Sequence, residues 1–258
     1  MTTLLFAVVY PLACSALRMS ASTGRMLTTQ DLAVNGGRTY QNLGMPRVLP
    51  PDGVSATEWM LWLHARDENF TPDVVNLSTG RVLHATSPDG LTGWTLHPDS
   101  PVLNPNKENG GDWFFFDSEH VGLGDVIQPG EAAQSKFAIN DGRMFLMYLF
   151  GGCSDAVSMD GPNGPVSFKG AKMEIGVAVS QDGAHWSRIE GPEPYGSILV
   201  PGKTSDDFDS QFVGWPSVLE LGGEYRMYYT TYNARLKRFQ ARFFFTNRSV
   251  NPSVSCVC

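Results

Sequence analysis

Residues 85–94 read ATSPDGLTGW and residues 178–186 read AVSQDGAHW. Each is a short apolar run, then Ser-x-Asp-Gly, then a tryptophan, and the two copies lie about ninety residues apart. One such string is an ordinary surface turn; two copies in the same setting point to a repeated unit. Ser-x-Asp-Gly has the chemistry of a tight hairpin turn. The aspartate side chain bonds backbone amides, and glycine takes a positive φ at no steric cost. The tryptophan is expected to start the next strand and pack back over the turn. Both motifs are read as structural.

More shared text stands upstream. EIGVAVSQDG (174–183) follows RMFLMYLFGG (143–152), and GRVLHATSPDG (80–90) follows EWMLWLHARD (58–67). A third aromatic segment is EYRMYYTTYN (224–233). Each aromatic segment is preceded by a glycine-containing run ending in valine: LGMPRV (43–48), VGLGDV (121–126) and VGWPSV (213–218). The last two follow the similar leaders FFDSEHVG (115–122) and DFDSQFVG (207–214). The unit is therefore an xGxxxV strand, an aromatic strand, a strand ending in Ser-x-Asp-Gly, and a strand opened by Trp94 or Trp186. Repeated units of consecutive antiparallel strands are the grammar of a β-propeller.

Composition agrees. The chain has 258 residues, 42% apolar and 17% charged, which suits a well-packed globular protein. Its 27 glycines and 17 prolines punctuate short aromatic runs, the pattern of strands and turns, and no long helical periodicity is present. A net charge of −7 argues against nucleic acid, whose phosphates call for clustered Lys and Arg. Cys14, Cys153, Cys256 and Cys258 match no zinc spacing, and the histidines form no ligand pair, so neither metal nor cofactor is expected.

Leu4 to Leu17 is almost unbrokenly apolar, and residues 1–30 carry no acid but include Arg18 and Arg25. That segment reads as a signal peptide, alone or with a plastid-type transit region, which predicts a secreted or organellar protein with no membrane span in the mature chain. Sequons at Asn69, Asn76 and Asn247 fit a secretory route.

The motif order over roughly residues 40–238 resembles the five-bladed propeller superfamily of arabinanases, β-xylosidases, invertases and levansucrases. It is most similar to the plant and algal glycosyl-hydrolase-like members. The resemblance implies an all-β fold of five four-stranded antiparallel blades over residues 31–238, and a carbohydrate partner. After Asn233 the pattern calls for another Ser-x-Asp-Gly-x-x-Trp strand pair. The chain instead reads ARLKRFQARFFFTNRSVNPSVSCVC, so residues 239–258 are expected to be an atypical tail and the ring incomplete. Two explanations stand: a sequence that diverges from its gene near Phe239, or a degenerate last blade.

Innermost strands of a propeller line its channel, and here these are the xGxxxV runs. Aligned, they put Arg47, Asp125 and Ser217 in one column between repeating Gly and Val positions. A position that varies where its neighbours repeat is what an asymmetric site on a pseudo-symmetric scaffold produces; an unconstrained exposed position produces it equally. A second column holds Asp117 and Asp209, with Thr39 in the first unit, and its recurrence argues for a structural task. Glu119 aligns with Gln41 and Gln211 and is ionisable only in its own copy; His120 lies beside it. Trp113 and Phe114 to Phe116 offer a sugar-stacking face or core.

Glycoside hydrolysis needs one protonated and one ionised carboxyl. The resemblance implies an Asp base, a second Asp that tunes the acid, and a Glu acid, for which Asp125, Asp117 or Asp209, and Glu119 are the candidates, with Arg47, His120, Ser217 and Trp113 as sugar-binding residues. The family's Asn-Asp-Pro-Asn block is missing, and the Glu-Gly-Pro string at 190–192 falls beyond Trp186, outside the inner strands. A non-catalytic carbohydrate-binding propeller and a protein-interaction propeller are the rival expectations.

Overall fold

The structure is a computed structural model that describes residues 40–52, 57–67, 80–110, 114–130, 144–161, 164–221, 224–233, 235–236 and 238–246. The 1–30 segment, the three sequons and Trp113 lie outside the described residues.

The described residues form an all-β protein with no α-helix. The first sheet runs β1 (Tyr40–Leu49), β2 (Trp59–Asp67), β3 (Gly80–Ser87) and β4 (Thr95–Leu96), antiparallel and in chain order. The second repeats this with β5 (His120–Ile127), β6 (Phe145–Gly152), β9 (Met173–Ser180) and β10 (Ser187–Ile189). Between its second and third strands stands a separate hairpin, β7 (Ala156–Gly161) and β8 (Gly164–Lys169). The third sheet has three strands, β11 (Phe212–Leu221), β12 (Glu224–Asn233) and β13 (Arg238–Thr246). Among the described residues, two four-stranded sheets and one three-stranded sheet thus stand beside the β7–β8 hairpin, and no sheet closes on itself. Residues 239–246, without a blade motif in their sequence, pair with Tyr225 to Tyr232 of β12.

The sheets pack face to face, which explains the continuous apolar runs of β2, β6 and β9. A middle strand covered on both faces has no solvent side on which to place polar residues. Between the first and second sheets lie Met60, Trp62, Val82, Val121, Phe145 and Met147. Between the second and third lie Phe150, Met173, Ile175, Phe212, Val213 and Met227. Phe145 and Phe150 are fully or almost fully buried, and each such side chain contributes about 1.5–3 kcal/mol.

The two Ser-x-Asp-Gly strings form the expected turns. Asp182 Oδ1 accepts from the Ala184 and His185 amides at 2.9 and 2.8 Å, and Ser180 Oγ accepts from the Gly183 amide at 2.8 Å. Asp89 accepts from the Leu91 and Thr92 amides in the same way. Gly90 and Gly183 have φ of 71° and 79°. The second turn also seals the first seam. Trp62 Nε1 donates to Gly183 O at 2.8 Å, and Trp186, whose Nε1 donates to the same oxygen, meets Trp62 edge-on at 6.2 Å. Trp186 immediately precedes β10 and Trp94 closely precedes β4, as the repeat predicts.

Candidate functional site

Each inner strand breaks register at the same place, between Gly44 and Arg47, Leu123 and Asp125, and Gly214 and Ser217. An extra residue in one strand of a pair kinks it and re-aims the side chain that follows. Met45 and Trp215 take φ of 49° and 50° to make the kink, an uncommon conformation for residues other than glycine. On the second strand the residue left out of the pairing is Gly124, where a Cβ would stand 2.3 Å from Pro216 Cγ of the third. The outcome is convergence: the column read from sequence is one cluster in space.

Asp125 is its centre. Its Oδ2 accepts from the Val218 amide at 2.7 Å and the Ser217 hydroxyl at 3.2 Å, both on β11. Its Oδ1 accepts from the Val126 amide at 2.9 Å and lies 3.1 Å from Arg47 Nε on β1. The same Nε donates to Gly124 O at 2.8 Å. One carboxylate therefore ties three inner strands from three sheets, and its side chain is 12% exposed. Its lone pairs are committed to protein donors, which suits an anchor better than a group that must reach water or sugar.

Asp117 and Asp209 sit just ahead of β5 and β11. Asp117 is fully buried and accepts from Arg188 Nε of β10 at 2.6 Å, while Arg188 also donates to Asn104 O. Burial pushes its carboxyl up, and the guanidinium pulls the other way. Gly151 is required beside it, since a Cβ there would stand 2.2 Å from Asp117 Cβ. Asp209 accepts from the Gly202 amide at 3.2 Å and lies 3.5 Å from the Tyr229 hydroxyl. Burial raises its carboxyl too, against the donors from Gly202 and Tyr229. Asp117 and Asp209 share a position and a burial, but not a partner.

Glu119 differs from all three. It lies one residue before β5 with its side chain 21% exposed, beside the ammonium of Lys107. Lys107 belongs to a short 3-10 helix, Asn106–Asn109, whose Asn106 amide donates to Asp117 O. The Asp117 backbone thus positions the cation that meets Glu119.

His120 opens β5 inside the protein, 1% exposed, with His64 of β2 edge-on at 5.9 Å and Arg66 Nη2 3.5 Å from its Nε2. Burial drives His120 well below its ordinary value, helped by Arg66 and His64, and holds His64 at about 3 and Arg66 at about 10. Both imidazoles are neutral at physiological pH. Among the described residues no group pairs with the ring nitrogens of His64 or with His120 Nδ1. Gly80 admits this pair, because a Cβ would stand 2.4 Å from His120 Cδ2. The sequence flagged His120 alone; the close approach of β5 to the first sheet at Gly80 is what brings it to His64.

Phe116 is core and Phe114 is 41% exposed, so the aromatic run divides between packing and surface. Glu190 to Pro192 follow β10 in a loop. Among the described residues no three Asp, Glu, His or Cys side chains gather as a metal site, and no helix is long and apolar enough to cross a membrane.

No family model matches the sequence, and no curated relative matches it. Solved structures do. The chain is similar to a glycoside hydrolase with a TM-score of 0.51 and 17% identity, over 89% of this chain and 53% of that one. A family 117 glycoside hydrolase from the marine bacterium Zobellia galactanivorans gives 0.52 and 10%, over 83% and 54%. The chain spans about half the length of these solved hydrolases. Likeness at such identities speaks for the fold alone: the described sheets are arranged as in these two solved hydrolases.

Proposed function

We propose that the protein is a glycoside-hydrolase-like propeller that engages a carbohydrate where β5 and β11 begin, with Glu119 as its working carboxylate. One observation carries this reading: of the four candidate carboxylates, Glu119 is the most open to solvent and, among the described residues, meets the Lys107 ammonium and no backbone donor. Hydrolysis of a glycoside needs a proton donor for the leaving oxygen and an ionised group to activate water or attack carbon. Asp209, pushed up by burial at the matching place of the third sheet, suits the donor; Glu119 beside Lys107 suits the ionised role. The fold likeness supplies the substrate class by analogy, the weaker of the two warrants. The 1–30 segment would deliver the protein to the secretory route or a plastid.

Glu119→Gln and Asp209→Asn, assayed on a panel of aryl glycosides and plant or algal oligosaccharides, decide it. Each variant should keep the far-UV spectrum and lose turnover by about 100-fold or more, in line with the usual worth of a general acid or base. Undiminished turnover in Glu119→Gln refutes the assignment. A second reading, a propeller that binds carbohydrate without cleaving it, is favoured by the anchoring contacts of Asp117 and Asp125. Under it the wild-type protein turns over no substrate and Glu119→Gln loses affinity alone.

A further inference from the structure

The third strands of the three sheets can be compared residue by residue. Arg47, Asp125 and Ser217 pair with Trp62, Tyr148 and Tyr228 on the second strands. Those residues in turn oppose His84, Val177 and Phe243 on β3, β9 and β13. Val82, Ile175 and Ala241, two places earlier on each third strand, are therefore equivalent.

On two of the sheets the outer edge at these places is covered. On the first, β4 pairs with Ala85 and Thr86, and Leu103 bridges Val82. On the second, β10 pairs with Val177 to Val179, and Leu199 bridges Ile175. The bridges also fix which way the backbone faces. The Val82 amide donates to Leu103 O at 3.0 Å, and Val82 O accepts from the Val102 amide at 2.9 Å. Ile175 does the same with Leu199 O at 3.0 Å and the Ile198 amide at 2.8 Å. Inward and outward backbone groups alternate along an antiparallel strand. Ala241, by its register, presents its amide and carbonyl away from β12, and so does Phe239 two places before it. Among the described residues, no strand or bridge stands beside Ala241 as Leu103 stands beside Val82 and Leu199 beside Ile175.

The side chains of β13 say what fits this edge. Phe239 and Phe243 are 62% and 48% exposed and lie on one face with Tyr232 and Tyr228, whose rings they meet at 5.2 and 6.1 Å. Arg238 and Arg242 fall on the opposite face by alternation, and the Arg242 guanidinium lies 4.0 Å over the Phe208 ring. Residues 234–246 carry Arg235, Lys237, Arg238 and Arg242 and no acid. A long, uncovered edge strand is a template for another strand. A second copy of β13 would set arginine against arginine, and like charges across a pair are unfavourable.

We propose that the outer edge of β13 takes up an extended segment of a partner protein, in which apolar and acidic residues alternate, as an added antiparallel strand. Its apolar side chains lie along Phe239, Ala241 and Phe243, and its carboxylates lie beside Arg238 and Arg242. Main-chain bonds to Phe239 and Ala241 supply affinity, and the two faces supply specificity. The partner strand does for the third sheet what β4 and β10 do for the first and second. This inference is independent of any glycan chemistry.

The test uses the full chain and a fluorescein-labelled octapeptide of alternating valine and glutamate, read by fluorescence anisotropy. Saturable binding is expected; no binding overturns the proposal. The same peptide N-methylated at every residue should bind about 10-fold or more weakly, through loss of the main-chain bonds. Equal binding overturns strand addition by leaving a charge contact alone. An alternating valine–lysine peptide should also bind about 10-fold or more weakly, and equal binding overturns the acidic assignment. Ala241→Pro removes an outward amide and no bond to β12, so it should keep the far-UV spectrum and lose about 10-fold or more in affinity. Hydrogen exchange on the wild-type chain reads the edge without a variant. The Ala241 amide should slow several-fold when the peptide is added, while that of Gln240, which faces β12, should not; an unchanged Ala241 amide overturns the proposal. A dimer that Ala241→Pro dissociates also overturns it, by making the occupant a second copy.

Discussion

Asp125→Ala tests how the three sheets are held together. The substitution removes the acceptor of the buried Val218 amide and of the Ser217 hydroxyl. A buried donor left without an acceptor costs about 1–3 kcal/mol. The ion pair with Arg47 adds little, because the arginine side chain is 38% exposed and solvent screens it, so its share is at most about 1 kcal/mol. The expected total is about 1–4 kcal/mol. Urea unfolding reads this as a lower midpoint with unchanged m, the sign of lost stability without a change in the surface exposed. Asp125→Asn, which keeps the size and one acceptor, should lose about half as much. A double-mutant cycle with Arg47→Ala should give a coupling below about 1 kcal/mol. A loss of less than about 0.5 kcal/mol for Asp125→Ala, the range of ordinary surface substitutions, refutes the anchoring role. Unchanged stability with abolished turnover would move Asp125 back to the chemistry.

Two further outcomes follow from the seams. His84 is buried between Trp62 and His97, and burial lowers it to about 4. A folded-state value below the unfolded one means stability is complete above about pH 6.5 and is lost as pH falls toward 4. The shift corresponds to about 3 kcal/mol, and His84→Phe should flatten the pH dependence of the urea midpoint in that window; an unchanged slope excludes His84 as its source. His185 works in the opposite sense, since Asp182 and Asp99 raise it, so its contribution is present in mild acid and fades as pH rises through its folded value. Gly183→Ala puts a Cβ 2.5 Å from Met60 Cε at a φ of 79° and should cost about 1–3 kcal/mol; a melting temperature equal to wild type would show that the turn does not bear on the seam.

Legibility in the sequence followed local chemistry. The two Ser-x-Asp-Gly turns announced themselves because residue type and backbone conformation coincide within four positions. The alignment of Arg47, Asp125 and Ser217 was visible as well, but its meaning was not: contact between them depends on three bulges and on how sheets stack. His64 escaped notice because its partner His120 lies on another sheet, beyond a glycine that only close approach explains. β13 was hidden for the opposite reason. Its neighbours provide the pairing, so Arg238–Thr246 forms a strand without the motif that marks β3 and β9. The β7–β8 hairpin left no trace in the repeat, being an insertion into it.

The clasp at Asp125 also gives the sheets an address. Arginine, aspartate and serine occupy equivalent places, and their attraction requires the carboxylate to stand between the two donors. Copying the second unit beside itself would bring two carboxylates together at this position, and copying the first would bring two guanidiniums. A protein of this kind cannot grow by duplication alone; every added sheet must change its residue at this one position before it can be seated.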